Sequence, residues 1–254
     1  EAMGGLRHLT GETGRVPVRC GISIGDTLAA LHGTIGVLMA IYHRKVNGGS
    51  GQVIDVALNE AVFNVMESLV PEYSAFGAIR EPAGSALPGI APSNAYRCKD
   101  GVVLIAGNGD SIFKRLMEVI GRKDLANDEG LANNSGRVAR VSELDSAIEA
   151  WTSEHLVTEV LDALGSAKVP AGRVYTAKDI VEDPHYRARD MILKQKTRDG
   201  HEMEVPGIVP KLMGTPGQVR FSAPHLGEDT DQVLQGLGYD AQKIADLRQR
   251  KVAA

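Results

Sequence analysis

Apolar residues recur at three- and four-residue steps between Thr27 and Lys45, and this spacing predicts a helix over that range. One face of the helix is apolar and consists of Leu28, Leu31, Ile35, Leu38 and Tyr42. A second face carries only small residues, namely Ala29, Gly33, Gly36 and Ala40. Because a glycine inside a helix costs about 1 kcal/mol relative to alanine, we expect another helix to approach this second face closely.

The same periodicity predicts further helices. They cover Leu58 to Phe76, Ser111–Ile120, Val141–Ser153, Val157–Leu164 and Ala241–Gln249. Short apolar runs predict strands instead. These strands cover Gln52 to Ala57, a hairpin of Tyr96-Arg97-Cys98 and Val102 to Ala106 around Asp100-Gly101, and a second pair, Met191 to Lys196 and Glu202 to Val205.

Proline and glycine divide the chain into regions. Between Arg80 and Asn94 three prolines and two glycines interrupt the periodic pattern, which predicts an irregular loop or linker. The stretch before this loop reads as one compact unit. The residues from 80 to about 180 read as a second, smaller α+β unit.

The composition narrows the possible partners. A net charge of -4 gives no electrostatic reason to expect nucleic acid or an anionic membrane. The two cysteines, Cys20 and Cys98, form neither a disulfide framework nor a metal-ligand spacing, which fits a reducing cytoplasm. No uninterrupted apolar run reaches the roughly 18 residues of a membrane span. We therefore expect a cytoplasmic protein.

Asp26 is the foremost candidate for covalent chemistry. It ends the run Gly21 to Asp26, directly before the predicted helix, where glycine leaves little bulk beside the carboxylate. One interpretation is structural, because Ser23 and Asp26 have the spacing of a capping box at a helix start. The other makes Asp26 a nucleophile, which requires the carboxylate to be dry, aimed and next to a cavity. The spacing alone favours the structural interpretation.

The remaining motifs favour structural roles. The run Gly107 to Asp110 lacks the third glycine and the lysine of phosphate-binding loops, so we expect a turn that caps the next helix. Arg137 to Arg140 is expected to be a solvated basic patch. Four histidines have no metal-ligand partners at a useful spacing: His155, His185, His201 and His225.

A series of short segments runs through the chain in a fixed order. They are Ala2-Met3-Gly4-Gly5 with Thr10-Gly11, Gly21 to Asp26, Gly49 to Leu58, Ile90-Ala91-Pro92, Tyr96 with Lys99-Asp100-Gly101, and Pro224 to Thr230 with Leu234 and Leu237-Gly238-Tyr239. In this order they resemble the family III CoA-transferases (CaiB/BaiF type), the group named after carnitine and bile-acid CoA-transferases. The resemblance spans nearly the whole chain.

The resemblance implies an α/β fold of two domains. An open parallel-sheet (Rossmann-like) large domain accompanies a smaller α+β domain, and two subunits interlock as a homodimer like chain links. On this chain, residues 1–79 would belong to the large domain with the catalytic helix. Residues 80–180 would form the small α+β domain, and residues 181–254 would return to the large domain and end in a helix.

The resemblance also implies transfer of CoA between an acyl-CoA thioester and a free carboxylic acid, through an aspartyl-CoA thioester. Asp26 stands where the family has its catalytic aspartate, so the resemblance reverses the preference for the structural interpretation. Gly25 would bind substrate beside it, as would Gly84 and Gly89 in the loop that matches the glycine-rich lid of formyl-CoA transferases. That loop is shorter here and lacks a run of glycines. Coenzyme A acts as a substrate, and no metal or redox cofactor is expected.

The start of the chain departs from the family pattern. The resemblance implies that the chain lacks about the first 140 residues of the family, which form the first βαβ units and most contacts to the CoA nucleotide. Residue 1 is glutamate, and Glu1 to Gly5 reads like the inside of an element. We therefore expect this chain alone to be inactive, with a separate N-terminal polypeptide as one way to complete it.

Two alternatives stay open. Acyl-CoA racemases of the same superfamily use an aspartate at the Asp26 position as half of an acid–base pair. They tend to show several glycines after it, whereas Thr27-Leu28-Ala29-Ala30 follows here, which favours a transferase. The other alternative is a non-catalytic interaction subunit or a truncated product whose role is dimerisation.

Overall fold

The computed structural model describes residues 1–220 and 222–253, which form two units. The first unit is Glu1–Val174 and the second is Tyr175–Ala254. This division lies close to the boundary expected after residue 180, and residues 1–79 belong to the same unit as the region that follows them. The assignment of regions to a large and a small domain stays a prediction.

Helices and short strands alternate along the chain. The helices are α1 Leu6–Leu9, α2 Ile24–Val46, α3 Leu58–Asn64, α4 Leu69–Phe76, α5 Asp110–Val119, α6 Lys123–Ala126, α7 Asn134–Ala139, α8 Val141–Thr152, α9 Val157–Ser166, α10 Ala177–Glu182, α11 Pro184–Ala188, α12 Thr230–Gly236 and α13 Ala241–Gln249. The strands are β1 Ser93–Cys98, β2 Gly101–Ala106, β3 Ala171–Arg173, β4 Ile192–Lys196 and β5 Glu202–Pro206.

The long helix predicted from Thr27 is confirmed as α2, which begins three residues earlier and therefore contains Asp26 in its first turn. It ends before Gly48, because the φ angle of 68° at this glycine is left-handed and is incompatible with a right-handed helix. By length and composition α2 is apolar enough to cross a membrane, a property that the search for uninterrupted apolar runs missed. A core helix of a soluble protein meets the same criteria, so this finding assigns no membrane.

The small-residue face of α2 meets a loop segment where we expected a helix. A Cβ built on Gly36 would lie 2.9 Å from Cγ2 of Ile54, so glycine allows residues 51–57 to approach α2. Gly33 has nothing within 4 Å of such a Cβ. Helix α3 contacts α2 nearer its start, at Gly25, where Cγ2 of Val62 lies 3.5 Å from the Cβ position.

The single helix predicted from Leu58 to Phe76 is wrong, because the structure has two helices there, α3 and α4. Pro71 has no N–H, and its ring would conflict with the carbonyl of Glu67 in a continuous helix. Glu67 instead takes a left-handed φ of 52°, and α4 starts at Leu69. Pro71 thus lies in the first turn of α4, where proline is tolerated.

The strand predicted at Gln52 to Ala57 is also wrong. Residues 51–56 make no backbone hydrogen bond within the part of the chain that the structure describes. A strand requires a partner, which an apolar run in the sequence does not reveal. The strand pairings described, β1–β2, β2–β3 and β4–β5, are all antiparallel, so the parallel sheet implied by the resemblance is not among them.

The predicted hairpin at Asp100-Gly101 is confirmed, and it forms one wall of a closed core. Strands β1 and β2 pair from Ser93↔Ala106 to Cys98↔Gly101, and β3 adds to the free edge of β2. Helices α5, α8 and α9 cover the sheet, and their starts and ends lie within two residues of those predicted. The buried cluster consists of Tyr96, Val103, Ile105, Phe113, Leu116, Met117, Ile120, Leu125, Leu131, Leu144, Ile148, Val160, Leu164 and Val169.

The second unit is built on a separate hairpin. Strands β4 and β5 pair from Ile192↔Pro206 to Lys196↔Glu202, as the apolar runs predicted. Arg187 of α11 forms a bidentate ion pair with Glu204 of β5, with a shortest N–O distance of 2.6 Å, and this guanidinium lowers the pKa of Glu204. The predicted helix at the end of the chain is confirmed as α13.

Candidate functional site

Asp26 is the third residue of α2, and its position is set by a helix start without a side-chain cap. Ser23 occupies the N-cap position, but its side chain makes no capping hydrogen bond. The first bond of the helix runs from the amide of Thr27 to the carbonyl of Ser23, at 3.1 Å. The capping box is therefore not formed, and Asp26 does not serve as its acidic member.

The carboxylate of Asp26 is exposed. Within residues 1–220 and 222–253 it accepts no hydrogen bond and forms no ion pair. Five grooves formed by the described residues stand out, and Asp26 lines none of them. The side chain is thus unobstructed, but the described residues do not supply the dry cavity that a nucleophilic carboxylate requires.

The exposure of Asp26 is part of a wider exposure of α2. No residue of this 23-residue helix is buried. Its exposed large apolar side chains are Leu31, Ile35, Val37, Leu38, Met39, Ile41, Tyr42 and Val46. Exposed apolar side chains in this number on one helix are typical of an interaction site. In this chain by itself, Asp26 therefore lies at the start of a helix whose side chains are exposed to solvent.

The first backbone N–H groups of α2 are free hydrogen-bond donors. Since the first helical bond is donated by Thr27, the N–H groups of Ile24, Gly25 and Asp26 have no carbonyl acceptor one turn back. No described side chain accepts from them either. Together with the helix dipole, these donors favour negative charge beside Asp26.

Gly84 and Gly89, the other predicted substrate-binding residues, belong to one loop with left-handed turns. Their φ angles are 63° and 77°, a region that favours glycine. The amide of Gly84 donates to the carbonyl of Gly11 at 2.8 Å, and a Cβ there would lie 2.9 Å from Oε2 of Glu12. No described hydrogen bond joins this loop to Gly25 or Asp26. Substrate binding by the three glycines stays a prediction.

Arg137 corrects the expectation of a solvated basic patch. Its side chain is 0% exposed, and the guanidinium donates to the carbonyls of Ala91, Leu131 and Asn108 at 3.0, 3.0 and 2.7 Å. It also pairs with Asp110 at 2.7 Å. Only tertiary contacts distinguish Arg137 from the half-buried Arg140 three residues later, so the sequence carried no signal for this role.

The other weighed motifs have structural places. Gly109 is the N-cap of α5, which agrees with the expected helix-capping turn at Gly107 to Asp110. His155 donates from Nδ1 to the carbonyl of Trp151 at 2.7 Å, and its ring lies 4.7 Å from the indole at a tilt of 35°. Within the described residues, no group of three or more histidine, cysteine, aspartate or glutamate side chains is placed to hold a metal ion.

The chain is similar to known proteins over nearly its whole length. Residues 1–230 match the sequence profile of CoA-transferase family III. The succinyl-CoA–D-citramalate CoA-transferase of Chloroflexus aurantiacus is 41% identical over 99% of this chain, and the beta subunit of succinyl-CoA–L-malate CoA-transferase from the same organism is 36% identical over 99%. The chain spans 63% of the length of each of these relatives.

A solved structure supports the same assignment. The crystal structure of a CAIB/BAIF family protein from Brucella suis superposes with a TM-score of 0.79 at 30% identity, and the match covers 93% of this chain and 61% of that protein. The mixed α/β fold class is thereby confirmed. Since the profile match covers most of the chain and includes Asp26 and the Gly84–Gly89 loop, the chain belongs to CoA-transferase family III.

Proposed function

We propose that the complete protein transfers CoA between an acyl-CoA thioester and a free carboxylic acid, with Asp26 as the covalent nucleophile. The observation that carries this proposal is the state of the Asp26 carboxylate in a chain that belongs to this family. It lies in the first turn of α2, without a capping role and without a hydrogen-bond or ion-pair partner among the described residues. A side chain held by no structural contact is free to meet a substrate.

The reaction consists of four acyl transfers. The carboxylate of Asp26 attacks the carbonyl carbon of the donor thioester, the C–S bond breaks, and a mixed anhydride forms with release of CoA thiolate. The thiolate then attacks the aspartyl carbonyl and expels the donor acid, which leaves an aspartyl-CoA thioester. The acceptor carboxylate attacks the carbonyl of that thioester, the C–S bond breaks, and a second mixed anhydride forms with release of CoA thiolate. The thiolate then attacks the acceptor's carbonyl carbon in this anhydride, which gives the new acyl-CoA and free Asp26. No net proton transfer is required, and one difficult exchange becomes several easier steps.

The start of α2 supports this chemistry electrostatically. Each attack develops negative charge on a carbonyl oxygen next to Asp26. The unused N–H groups of Gly25 and Asp26 are donors of the type that stabilises such an oxyanion. Carboxylates are weak nucleophiles, so positioning is expected to carry much of the rate.

The dry environment must come from a surface that covers α2 in the assembled protein. The eight exposed large apolar side chains of α2 provide the apolar area for such a cover. An interlocked homodimer, a preceding polypeptide segment, or both would supply it. We propose that the carboxylate of Asp26 lies beside a dry cavity once this second surface packs against α2.

The substrates are proposed from the names of the relatives. Relatives at 41%, 36% and 30% identity are named for succinyl-CoA together with D-citramalate, L-malate and mesaconate. We therefore propose succinyl-CoA as the donor and a dicarboxylic acid of four or five carbons as the acceptor.

A heteromeric assembly is the second candidate, and one observation favours it. Two relatives of this chain are named as the alpha and the beta subunit of one succinyl-CoA–L-malate CoA-transferase. In such an assembly this chain would contribute Asp26, or only an interface, to a site completed by a different polypeptide.

Replacement of Asp26 tests the proposed function. In the complete enzyme, Asp26→Ala should lower CoA transfer from succinyl-CoA to the acceptor acid by at least about a thousandfold, because the covalent route is lost. Asp162→Ala is the matched control, since Asp162 is an exposed aspartate on α9. Mass spectrometry should detect an adduct of CoA on the Asp26 peptide, which hydroxylamine converts to a hydroxamate.

Two outcomes would contradict the proposal. Near-normal transfer by the Asp26→Ala enzyme would remove the nucleophile from the mechanism. Exchange of the α-proton of an acyl-CoA in deuterated water, without any acceptor acid, would indicate a racemase instead.

A further inference from the structure

The first turn of α2 is held by packing and not by a cap. Ser23, at the N-cap position, makes no capping hydrogen bond through its side chain. Within the part of the chain that the structure describes, no hydrogen bond joins Gly25 or Asp26 to another element. Because helix ends without such bonds fray, the position of Asp26 depends on the side chain that packs against this turn.

Val62 of α3 is the side chain that packs there. Its Cγ2 lies 3.5 Å from the position that a Cβ on Gly25 would take, which is an ordinary van der Waals distance. Val62 is 0% exposed, whereas α2 itself has no buried residue. A fully buried side chain therefore lies against the residue directly before Asp26.

The opposite side of Val62 is fixed by Gly4. A Cβ on Gly4 would lie 2.7 Å from both Cβ and Cγ1 of Val62, and 2.9 Å from the carbonyl oxygen of Asn59. Glycine permits this close approach, and Gly4 is buried. The two methyl groups of Val62 thus face different glycines, Cγ1 towards Gly4 and Cγ2 towards Gly25. Three segments that are distant in sequence meet at one side chain.

We propose that Val62 is a positioning residue, which fixes the first turn of α2 so that the carboxylate of Asp26 is aligned with the thioester carbonyl. This inference rests on the proposed function. Val62 acts through the backbone of Gly25 and does not touch the substrate.

The physical reason lies in the weakness of a carboxylate as a nucleophile. Its rate of attack depends on alignment, and a displacement of about 1 Å can cost about a hundredfold in rate. Loss of the Val62 methyl groups leaves a void beside Gly25, so the uncapped turn gains room to move. The orientation of Asp26 then changes without loss of a contact to succinyl-CoA, and kcat falls while KM does not rise.

Three variants separate alignment from stability. Val62→Ala removes the methyl groups that face the two glycines. Val62→Thr keeps two groups of nearly the same size but buries a hydroxyl, so it destabilises the fold without opening a void. Met66→Ala is the matched control, because Met66 is 7% exposed and its Cγ lies 3.8 Å from the Cβ position of Gly5 instead of Gly25.

The expected result is a loss of kcat in one of the three. In the complete enzyme, Val62→Ala should lower kcat for CoA transfer from succinyl-CoA by at least about tenfold and keep KM within about twofold. Val62→Thr and Met66→Ala should lower the urea midpoint as well, yet keep kcat within about threefold. Equal losses of kcat in Val62→Ala and Met66→Ala, or in Val62→Ala and Val62→Thr, would overturn the inference.

A second route keeps the test decisive if Val62→Ala fails to fold. Gly4→Ala removes no core atom and instead presses on Val62 from the side opposite Gly25. It should lower kcat by about tenfold with KM within about twofold, because the first turn of α2 is displaced. A wild-type kcat in this variant would contradict the proposal.

Single-turnover formation of the CoA adduct on Asp26 separates this inference from the proposed function. In Val62→Ala the adduct should form more slowly by the same factor as kcat, and a wild-type rate would refute the positioning role alone. If the wild-type enzyme forms no adduct and Asp26→Ala retains transfer, the proposed function and this inference both fall.

Discussion

Helix α2 exposes its apolar side chains, whereas the core buries them. This core lies around β1, β2, α5, α8 and α9. Ile148 of α8 is 0% exposed, whereas Leu38 of α2 is 61% exposed, although both lie on apolar helix faces of the same unit. The core closes with its own residues. Helix α2 has no buried residue, and its exposed apolar side chains form a surface of the kind that marks an interaction site. Asp26 lies at the exposed start of this helix.

The largest expected effect concerns the buried guanidinium in the closed core. Arg137→Met should lower the free energy of unfolding of the chain by about 3 kcal/mol or more, because it leaves the carbonyls of Ala91, Leu131 and Asn108 without a donor. Arg140→Met is the control, since Arg140 is only half-buried and its ion pairs with Asp128 and Glu143 are solvent-accessible and worth at most about 1 kcal/mol. Urea unfolding measures both, and equal losses would refute the distinction between them.

Truncation of one apolar residue in each region tests the comparison directly. Ile148→Ala should destabilise the isolated chain by about 2–5 kcal/mol, since it leaves a cavity in the core. Leu38→Ala should change the unfolding free energy by no more than about 0.5 kcal/mol, because the side chain is already in solvent. A loss at Leu38 as large as that at Ile148 would mean that α2 is covered in the isolated chain as well.

Acid should weaken the closed core by a smaller amount. Hydrogen bonds from Arg122 hold the pKa of Asp124 at about 2, and those from Arg140 lower the pKa values of Asp128 and Glu143. Groups with a lowered pKa in the folded state stabilise it above their unfolded values of about 4, and this contribution is lost as the pH falls from there towards about 2.

The matched variant for the acid experiment is Arg140→Gln. The urea midpoint should fall less between pH 5 and pH 2.5 in this variant than in the wild type, because two of the three carboxylates have lost their partner. The difference should shrink in 1 M salt, which screens exposed charges. A larger fall in the variant would contradict the assignment of the shifts to these ion pairs.

The sequence predicted the regular elements well where periodicity and turn chemistry agree. Asp100-Gly101 sets the register of β1 and β2, and the amphipathic pattern places α5, α8, α9 and α13 within a few residues. Prediction from the sequence failed where the structure depends on a strand partner or on a steric clash of the backbone. Residues 52–57 resemble a strand in sequence but have no strand partner among the described residues, and Pro71 divides what the pattern presents as one helix.

The residues discussed at the candidate site also differ in whether the sequence alone could reveal them. Asp26 was found because a local run before a helix matched a family position, and that information lies within a few residues. Arg137 was missed because its role depends on the carbonyl of Ala91, 46 residues away in the chain. Its side chain does not differ in type from that of the half-buried Arg140, so only the fold separates the two.

The backbone of residues 51–56 has a practical consequence for anyone who produces this chain. Its amide and carbonyl groups are unused in the described structure, and Val53 projects into solvent beside the uncovered α2. Unused polar groups next to apolar side chains recruit foreign strands, including those of a second copy. Expression of this chain by itself should therefore favour inclusion bodies, and a partner chain that covers α2 and this segment should raise the soluble fraction.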